Sequence, residues 1–376
     1  MSIVGLPVLS FLYGALTLIV ALSVIVFIHE YGHFKVARLC GFKIDTFSIG
    51  FGRKLWGFRD RFGTEWKIGW LPLGGYVKFQ GDANAASMPD GGAGTIQPGD
   101  FLSRPVWQRA LVVAAGPFAN FIFAIFLFAA AALISGYPIP GPMIGEVKPG
   151  FPAQQAGLLP GDIIRSIAGS EIINFNDIPM AVRTHGGETI ALVYERQGVR
   201  KEVTLTIAVE VEDHGFLGKN KIGKIGIGPS SASINLEQVG PLRALQLGVE
   251  ETWDLIALTG QFIGKLFLGS ESVGQLGGLG SMASVTSQAA TLGFYQFIHT
   301  VGFLSVSIGL INLFPIPILD GGHLVFCALE AVRRKPLGAV AQEWALKVGL
   351  VVVLALMFIG NWNDVLRAFG RSVGAQ

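Results

Sequence analysis

The sequence predicts a polytopic α-helical membrane protein with about four transmembrane helices and one mainly β domain outside the bilayer. Hydrophobic residues make up 51% of the 376 residues and charged residues only 14%, against roughly 25% charged residues in a soluble domain. The charges are absent from long stretches, as in helices that cross a bilayer. The net charge of +2 offers no basic excess for nucleic acid, and two cysteines are too few for a disulfide framework.

Charge-free runs predict the four spans. Residues 1–28 contain no Asp, Glu, Lys or Arg, and the apolar run 11–28 is long enough to cross a bilayer. This run lacks the basic start and the small-residue cleavage site of a signal peptide, so we expect it to be retained. The second span is expected at 111–134, the third from about Leu292 to the proline-rich segment before Asp320, and the fourth around 348–362.

Basic residues predict the orientation of the chain. They concentrate between the first two spans and at Arg333, Arg334 and Lys335. Because cytoplasmic loops carry the Lys/Arg excess, we expect both termini and the long segment between spans two and three to be periplasmic, in a bacterial inner membrane. The predicted organisation is 1–40 first transmembrane helix, 41–105 cytoplasmic-side loop, 106–137 second helix, 138–228 periplasmic domain, 229–290 amphipathic or linker segment, 291–328 third transmembrane segment, and 329–376 basic loop and fourth helix.

The periplasmic segment opens with the proline- and glycine-rich boundary 137–142. Alternating strand-like runs follow at 189–194 and 202–209, with turns such as Gly186-Gly187 between such runs, so this domain is predicted to be mainly β. Residues 242–268 have helical periodicity. That pattern fits a helix on the membrane surface and equally a helix packed on the β domain.

The sequence His29-Glu30-Tyr31-Gly32-His33 carries the predicted chemistry. Histidines at i and i+4 share one helix face and can bind one zinc ion, and the neighbouring glutamate can accept a proton from zinc-bound water. The alternative is a pair of ordinary surface histidines. Their position at the end of a transmembrane run argues against it, because ionisable side chains at membrane depth are costly and usually functional.

A catalytic zinc ion needs a third protein ligand and an open position for water. Asp320 is the candidate, because it ends a long stretch without acids and because the topology brings its end of span three near the histidines. Residues 312–322 contain two prolines that break a helix and two glycines that allow close backbone approach, so a cavity is predicted there. The alternative is that Asp320 is only the N-cap of the next helix.

These two motifs, with the outer sequence 152–164 between them, resemble the site-2 protease family of intramembrane zinc metalloproteases (peptidase family M50), in its bacterial RseP-like branch, the regulators of sigma-E protease. The resemblance covers essentially the whole chain. It implies that His29, His33 and Asp320 bind Zn²⁺, that Glu30 is the catalytic base and that Asn312 lies near the substrate carbonyl.

The resemblance also implies two peptide-binding elements. Residues 47–52 and 66–78 resemble a membrane-reentrant β-hairpin, where Gly74, Gly75 and Tyr76 would bind an unwound substrate by strand addition; a plain surface hairpin is the alternative. Residues 152–164 resemble a PDZ signature, which implies a PDZ-like domain that binds peptides or acts as a size filter. A single copy is visible, where the branch usually has two. Residues 277–280 replace a family Gly-Gly-Pro element and are assigned no role.

The function that the resemblance implies is site-2 cleavage of single-span membrane proteins in regulated intramembrane proteolysis, for stress-response signalling. Expected partners are substrates of the anti-sigma factor type, with remnant signal peptides as a second class, a peptide ligand of the PDZ-like domain, and the lipid bilayer. The alternative is a non-catalytic membrane receptor or scaffold with a structural zinc site, which would have no need of Glu30. Of the other histidines, His299 is expected to hydrogen-bond a neighbouring helix, and His323 to support or cap the site.

Overall fold

The computed structural model describes residues 7–80, 100–183, 185–213, 219–267, 274, 277–335 and 337–373. The chain forms two units. A helix-rich unit lies within Met1–Ala131 and Pro241–Gln376, and a strand-rich unit comprises Ala132–Gly240.

Four helices of the described residues are long and apolar enough to cross a membrane, which confirms the predicted number. They are α1 (Pro7–Leu39), α2 (Val106–Ser135), α7 (Phe294–Asn312) and α9 (Ala339–Val373). Helix α9 extends well beyond the apolar run at 348–362, because polar residues that border the run, such as Lys347 and Asn363, do not end the helix.

The segment after α7 is broken, as its prolines predict. Helix α7 ends at Asn312, and the chain turns before α8 (Asp320–Arg333) begins. A Cβ atom added at Gly321 would lie 2.2 Å from the carbonyl oxygens of both Leu313 and Phe314. Only glycine therefore allows the turn to fold back against the start of α8.

Two further helices complete the helix-rich unit. The predicted helical segment is α5 (Pro241–Phe267). Helix α6 (Leu279–Leu292) lies at the end of the predicted amphipathic or linker segment, where no second helix was expected. Helix α5 packs on α2 and α7: a Cβ atom at Gly248 would be 2.4 Å from the carbonyl oxygen of Ile125, and Nε2 of His299 is 2.6 Å from Oε1 of Glu251. The expected interhelical hydrogen bond of His299 is thus confirmed.

The first loop forms a hairpin, as predicted, with β1 (Ile44–Arg59) antiparallel to β2 (Glu65–Phe79). Its base packs against α1 through an aromatic cluster. The ring centroid of Phe47 lies 5.4 Å from that of Phe34 and 4.4 Å from that of Trp66. Because Phe34 and Phe47 are almost fully buried, this cluster holds β2 beside the part of α1 that carries the histidines.

The strand-rich unit confirms the predicted mainly β domain. Its central sheet has the order β6 (Ser170–Glu171), β5 (Ile163–Ile167), β7 (Thr189–Arg196) and β8 (Val199–Thr206). Three two-stranded sheets pair β3 (Tyr137–Pro140) with β12 (Ile234–Glu237), β4 (Ile144–Val147) with β11 (Ile227–Pro229), and β9 (Ala208–Asp213) with β10 (Lys219–Lys224). The short helices are α3 (Pro152–Gln155) and α4 (Asp177–Arg183).

An apolar core fills this unit, and Ile144, Ile164 and Leu192 are among its most deeply buried residues. The acidic residue of the predicted signature, Asp162, is also buried. Its carboxylate accepts hydrogen bonds of 2.7 and 2.8 Å from the guanidinium of Arg196. Because an unpaired buried carboxylate would be strongly destabilising, this ion pair explains why the sequence can place an acid there.

Candidate active site

Three predicted side chains meet at one point of the helix-rich unit. His29 and His33 lie one turn apart on α1, and their Nε2 atoms are 3.2 Å apart. Oδ2 of Asp320 is 3.0 Å from Nε2 of His29 and 3.5 Å from Nε2 of His33. The N-cap of α8 is Leu319 and Asp320 is the first residue of the helix, so the alternative N-cap role does not apply.

The spacing of these three atoms fits a metal ion. Ligand atoms about 2.0–2.2 Å from a tetrahedral zinc ion lie roughly 3.3–3.6 Å from one another. The observed separations of 3.0, 3.2 and 3.5 Å are close to that range. Oδ2 of Asp320 is also buried and receives no hydrogen bond of good geometry from the described residues. A buried carboxylate oxygen beside two imidazoles, yet not hydrogen-bonded by them, is a suitable metal ligand.

The protonation of His33 is compatible with metal binding. Its Nδ1 lies 2.8 Å from the carbonyl oxygen of Val112 on α2. A carbonyl oxygen can only accept, so Nδ1 carries the proton and Nε2 presents a lone pair toward Asp320. Metal-ligating histidines typically have such a partner, which fixes both the tautomer and the ring orientation.

A cavity of about 310 Å³ surrounds the three ligand atoms. The other predicted site residues all line it: Glu30, Gly74, Gly75, Tyr76 and Asn312. His323 lines it as well, one turn after Asp320 on α8. The structure thus brings together every residue that was predicted to serve in catalysis, metal binding or substrate binding.

Strand β2 forms the wall of this cavity beside Glu30. A Cβ atom at Gly75 would lie 2.9 Å from Cγ of Glu30, so the strand backbone directly contacts the glutamate side chain. The Tyr76 ring stacks on that of Phe51 at 6.0 Å, and Nζ of Lys67 lies 5.0 Å from the Tyr76 ring centroid. A peptide in this cavity would therefore contact β2 and Glu30 together.

Helix α2 supplies site residues that the sequence analysis missed. Besides Val112, these are Gly116, which lies against both histidines, and Asn120, whose Nδ2 is 3.3 Å from Nδ1 of His29. A signal was present in the sequence. Asn120 is the only side chain between Ala110 and Ile134 that can form hydrogen bonds.

The model of peptidase family M50 matches residues 17–356. A protein of Rhizobium meliloti with the provisional name of a zinc metalloprotease is 41% identical over 366 residues, covering 95% of this chain and 98% of that protein. The metalloprotease MmpA of Caulobacter vibrioides is 37% identical, covering 96% and 97%. The regulator of sigma-E protease RseP of Escherichia coli is 30% identical, covering 96% and 100%.

Among solved structures, the chain is similar to the PDZ domain of an SdrC-like protein of Listeria monocytogenes. The two are 19% identical, the match covers 25% of this chain and 90% of that chain, and the TM-score is 0.20. The family match spans most of the chain, including both segments that form the cavity. The chain therefore belongs to peptidase family M50 and is a metalloendopeptidase of the site-2 protease type.

Proposed function

We propose that the protein is an intramembrane zinc protease that cuts single-span membrane proteins within or beside their membrane segments. The observation that carries this proposal is the convergence of His29, His33 and Asp320 in a cavity that also contains Glu30. Helix α1, which carries the histidines, is itself apolar enough to cross a membrane. Hydrolysis would therefore occur close to or within the bilayer.

His29, His33 and Asp320 would hold the zinc ion. When bound, zinc supplies a Lewis acid that activates a water molecule and polarises the scissile carbonyl. Glu30 accepts the proton of the attacking water and then passes it to the leaving amine. Asn312 lines the same cavity, where its amide N–H can donate to the substrate carbonyl.

We further propose that β2 binds the substrate as an added strand. A helical peptide hides its scissile bonds inside its own hydrogen-bonding ladder, so it must unwind before it is cut. Strand β2 pairs only with β1 among the described strands, and its residues Gly74, Gly75 and Tyr76 line the cavity. An extended substrate segment could thus replace its lost helical hydrogen bonds with strand pairing.

The proposed setting is a bacterial inner membrane, with the strand-rich unit and both termini in the periplasm. The distribution of Lys and Arg supports this orientation. The proposed substrates are single-span proteins already shortened on their outer side, of the anti-sigma factor type, with remnant signal peptides as a second class. Within the strand-rich unit, a cavity of about 460 Å³ beside α4, lined by Phe175, Ile178 and Ile225, supports a PDZ-like peptide groove.

The experiment that tests this function compares cleavage of a single-span model substrate by the purified full chain and by Glu30→Gln, with zinc content measured in both. We expect Glu30→Gln to keep its zinc and to lose roughly 10²–10⁴-fold in rate, the usual contribution of a general base. Glu343→Gln is the matched control, since Glu343 is exposed on α9 and, among the described residues, forms an ion pair only with Lys347. If the wild type binds zinc and cuts none of several substrates, the receptor or scaffold function replaces the protease function.

A further inference from the structure

Asn120 is a buried amide in the middle of an otherwise apolar helix. Its exposure is 0%, and no other side chain from Ala110 to Ile134 can form a hydrogen bond. Burying an amide in such surroundings without a hydrogen-bond partner is destabilising. The partner of this amide therefore indicates what the residue does.

That partner is His29, whose Nδ1 lies 3.3 Å from Nδ2 of Asn120. In this orientation the amide donates, so Nδ1 of His29 has no proton and Nε2 must carry it. A proton on Nε2 would point toward Oδ2 of Asp320 and occupy the space between the three ligand atoms. Meanwhile Oδ1 of Asn120 is buried, and no described residue donates a hydrogen bond to it.

A rotation of the amide by 180° reverses these roles at little steric cost, because its oxygen and nitrogen have nearly the same size. Oδ1 would then accept a hydrogen bond from Nδ1–H of His29, and Nε2 would present its lone pair to the metal position. The two orientations differ in which amide atom faces His29, so the requirement of His29 decides between them. The result matches His33, whose Nδ1–H donates to the carbonyl oxygen of Val112 on the same helix.

We propose that Asn120 positions His29 for zinc binding by accepting a hydrogen bond from its Nδ1–H. Helix α2 would then set the tautomer of both histidines, through a main-chain carbonyl for His33 and a side-chain carbonyl for His29. This inference rests on the proposed zinc site. Asn120 acts through His29 and contacts neither zinc nor substrate, so it is a positioning residue.

The test measures the zinc dissociation constant of the purified full chain by competition with a chelator. Asn120→Leu has a similar size but no acceptor, and we expect it to weaken zinc binding by about 10–100-fold, the usual effect of losing such a partner. Asn120→Asp has a similar shape and keeps an acceptor but cannot donate when ionised. We expect it to bind zinc within about threefold of the wild type.

Ser305→Ala is the matched control. Its hydroxyl donates to the backbone oxygen of Asn120 at 2.9 Å, so this variant removes a hydrogen bond from the same residue and leaves the amide intact. We expect an unchanged dissociation constant. The melting temperature of each metal-free variant reports folding separately from metal binding.

Two results would overturn the inference while leaving the zinc site in place: an unchanged dissociation constant in Asn120→Leu, or a loss of tenfold or more in Asn120→Asp. The second result would mean that His29 needs the donor and not the acceptor. If Asn120→Leu does not fold, Asn120→Asp decides by itself. A wild-type protein that binds no zinc would instead overturn the proposed function, and this inference with it.

Discussion

Gly116 of α2 lies directly against His33: a Cβ atom added at Gly116 would be only 2.2 Å from Nε2 of that histidine. The same atom would be 2.9 Å from Nε2 of His29. The two candidate ligand nitrogens therefore rest on the bare backbone of α2. Any side chain at this position would occupy the space beside the metal site.

We expect Gly116→Ala to weaken zinc binding roughly tenfold or more and to reduce cleavage in parallel, because the methyl group must displace both imidazoles. Zinc content after dialysis against a chelator checks the first effect. Gly264→Ala is the control, since Gly264 also lies in a helix and has no atom within 4 Å of the added methyl group among the described residues. If Gly116→Ala bound zinc with wild-type affinity, the histidines would not depend on close contact with the α2 backbone, and this prediction would be wrong.

Gly74→Ala tests the cavity wall formed by β2. The residue has a φ of +112°, and its added methyl group would lie 2.4 Å from the Phe51 ring, so the strand must distort where it faces the cavity. We expect a loss of cleavage with zinc content unchanged, because the metal ligands lie on other elements. A peptide cleavage assay with parallel zinc measurement checks this.

Gly63→Ala is the control for Gly74→Ala, because it introduces similar backbone strain at a position outside the cavity. Gly63 also has a positive φ, +89°, but lies in the turn of the hairpin with no atom within 4 Å of the added methyl group in the described part of the chain. We expect it to retain most of the cleavage activity. Equal losses in both variants would mean that general weakening of the hairpin, and not the cavity wall, controls activity.

The Asp60 carboxylate links the hairpin turn to the end of α1 through hydrogen bonds. Its Oδ2 accepts hydrogen bonds from Arg38 at 2.8 Å and from the Trp66 indole at 3.2 Å, and Oδ1 accepts two backbone N–H groups. Burial raises the pKa of Asp60, but the hydrogen bonds from Arg38, the indole and the backbone lower it more. The pKa in the folded protein therefore lies below its ordinary value.

A lowered folded-state pKa stabilises the fold above the unfolded-state pKa, about 3.9, and this stabilisation is lost as the pH falls through the folded value. We expect Asp60→Asn to lower the melting temperature at pH 7 and to reduce the free energy of unfolding by roughly 1–3 kcal/mol. The difference from the wild type should shrink below about pH 4. Glu65→Gln, which removes the exposed pair with Lys54, should have a much smaller effect. A difference that is constant with pH would contradict this role of the carboxylate.

Helix α6 receives its N-terminal cap from another helix. The backbone N–H groups of Gly278 and Ser281 donate to Oδ2 of Asp364 on α9 at 3.1 and 2.8 Å, and that of Leu279 donates to Oδ1 of Asn361 at 3.1 Å. We expect Asp364→Ala to destabilise α6 by about 1 kcal/mol, the usual effect of losing a cap. Faster hydrogen exchange confined to α6 would check this, with Glu343→Ala on exposed α9 surface as the control. Unchanged exchange in α6 would contradict it.

Much of the site could be predicted because the chemistry is local in the sequence. The i, i+4 spacing of His29 and His33 requires only a helix, which the apolar run before them predicts. Asp320 could be brought to them by topology alone, because it ends the acid-free stretch that contains the third span. The glycines after it are explained by the close approach of Gly321 to the turn at Leu313.

The contributions of α2 and α6 depend on tertiary contacts, so the sequence did not reveal them. In the sequence, Gly116 is only a residue of low helix propensity within a transmembrane helix. Its role becomes evident from its contact with the two histidines in the structure. Residues 279–292 have little helical signal, and the helix forms with a cap from Asp364, which is distant in sequence. Asn120 was the one visible clue, since an amide within an apolar run needs a partner.

X-ray diffraction from crystals of the zinc-loaded protein, measured above and below the zinc absorption edge, tests whether His29, His33 and Asp320 bind one zinc ion. We expect an anomalous peak about 2.0–2.2 Å from Nε2 of both histidines and from Oδ2 of Asp320. A zinc peak elsewhere in the chain, with these three atoms free of metal, would contradict it.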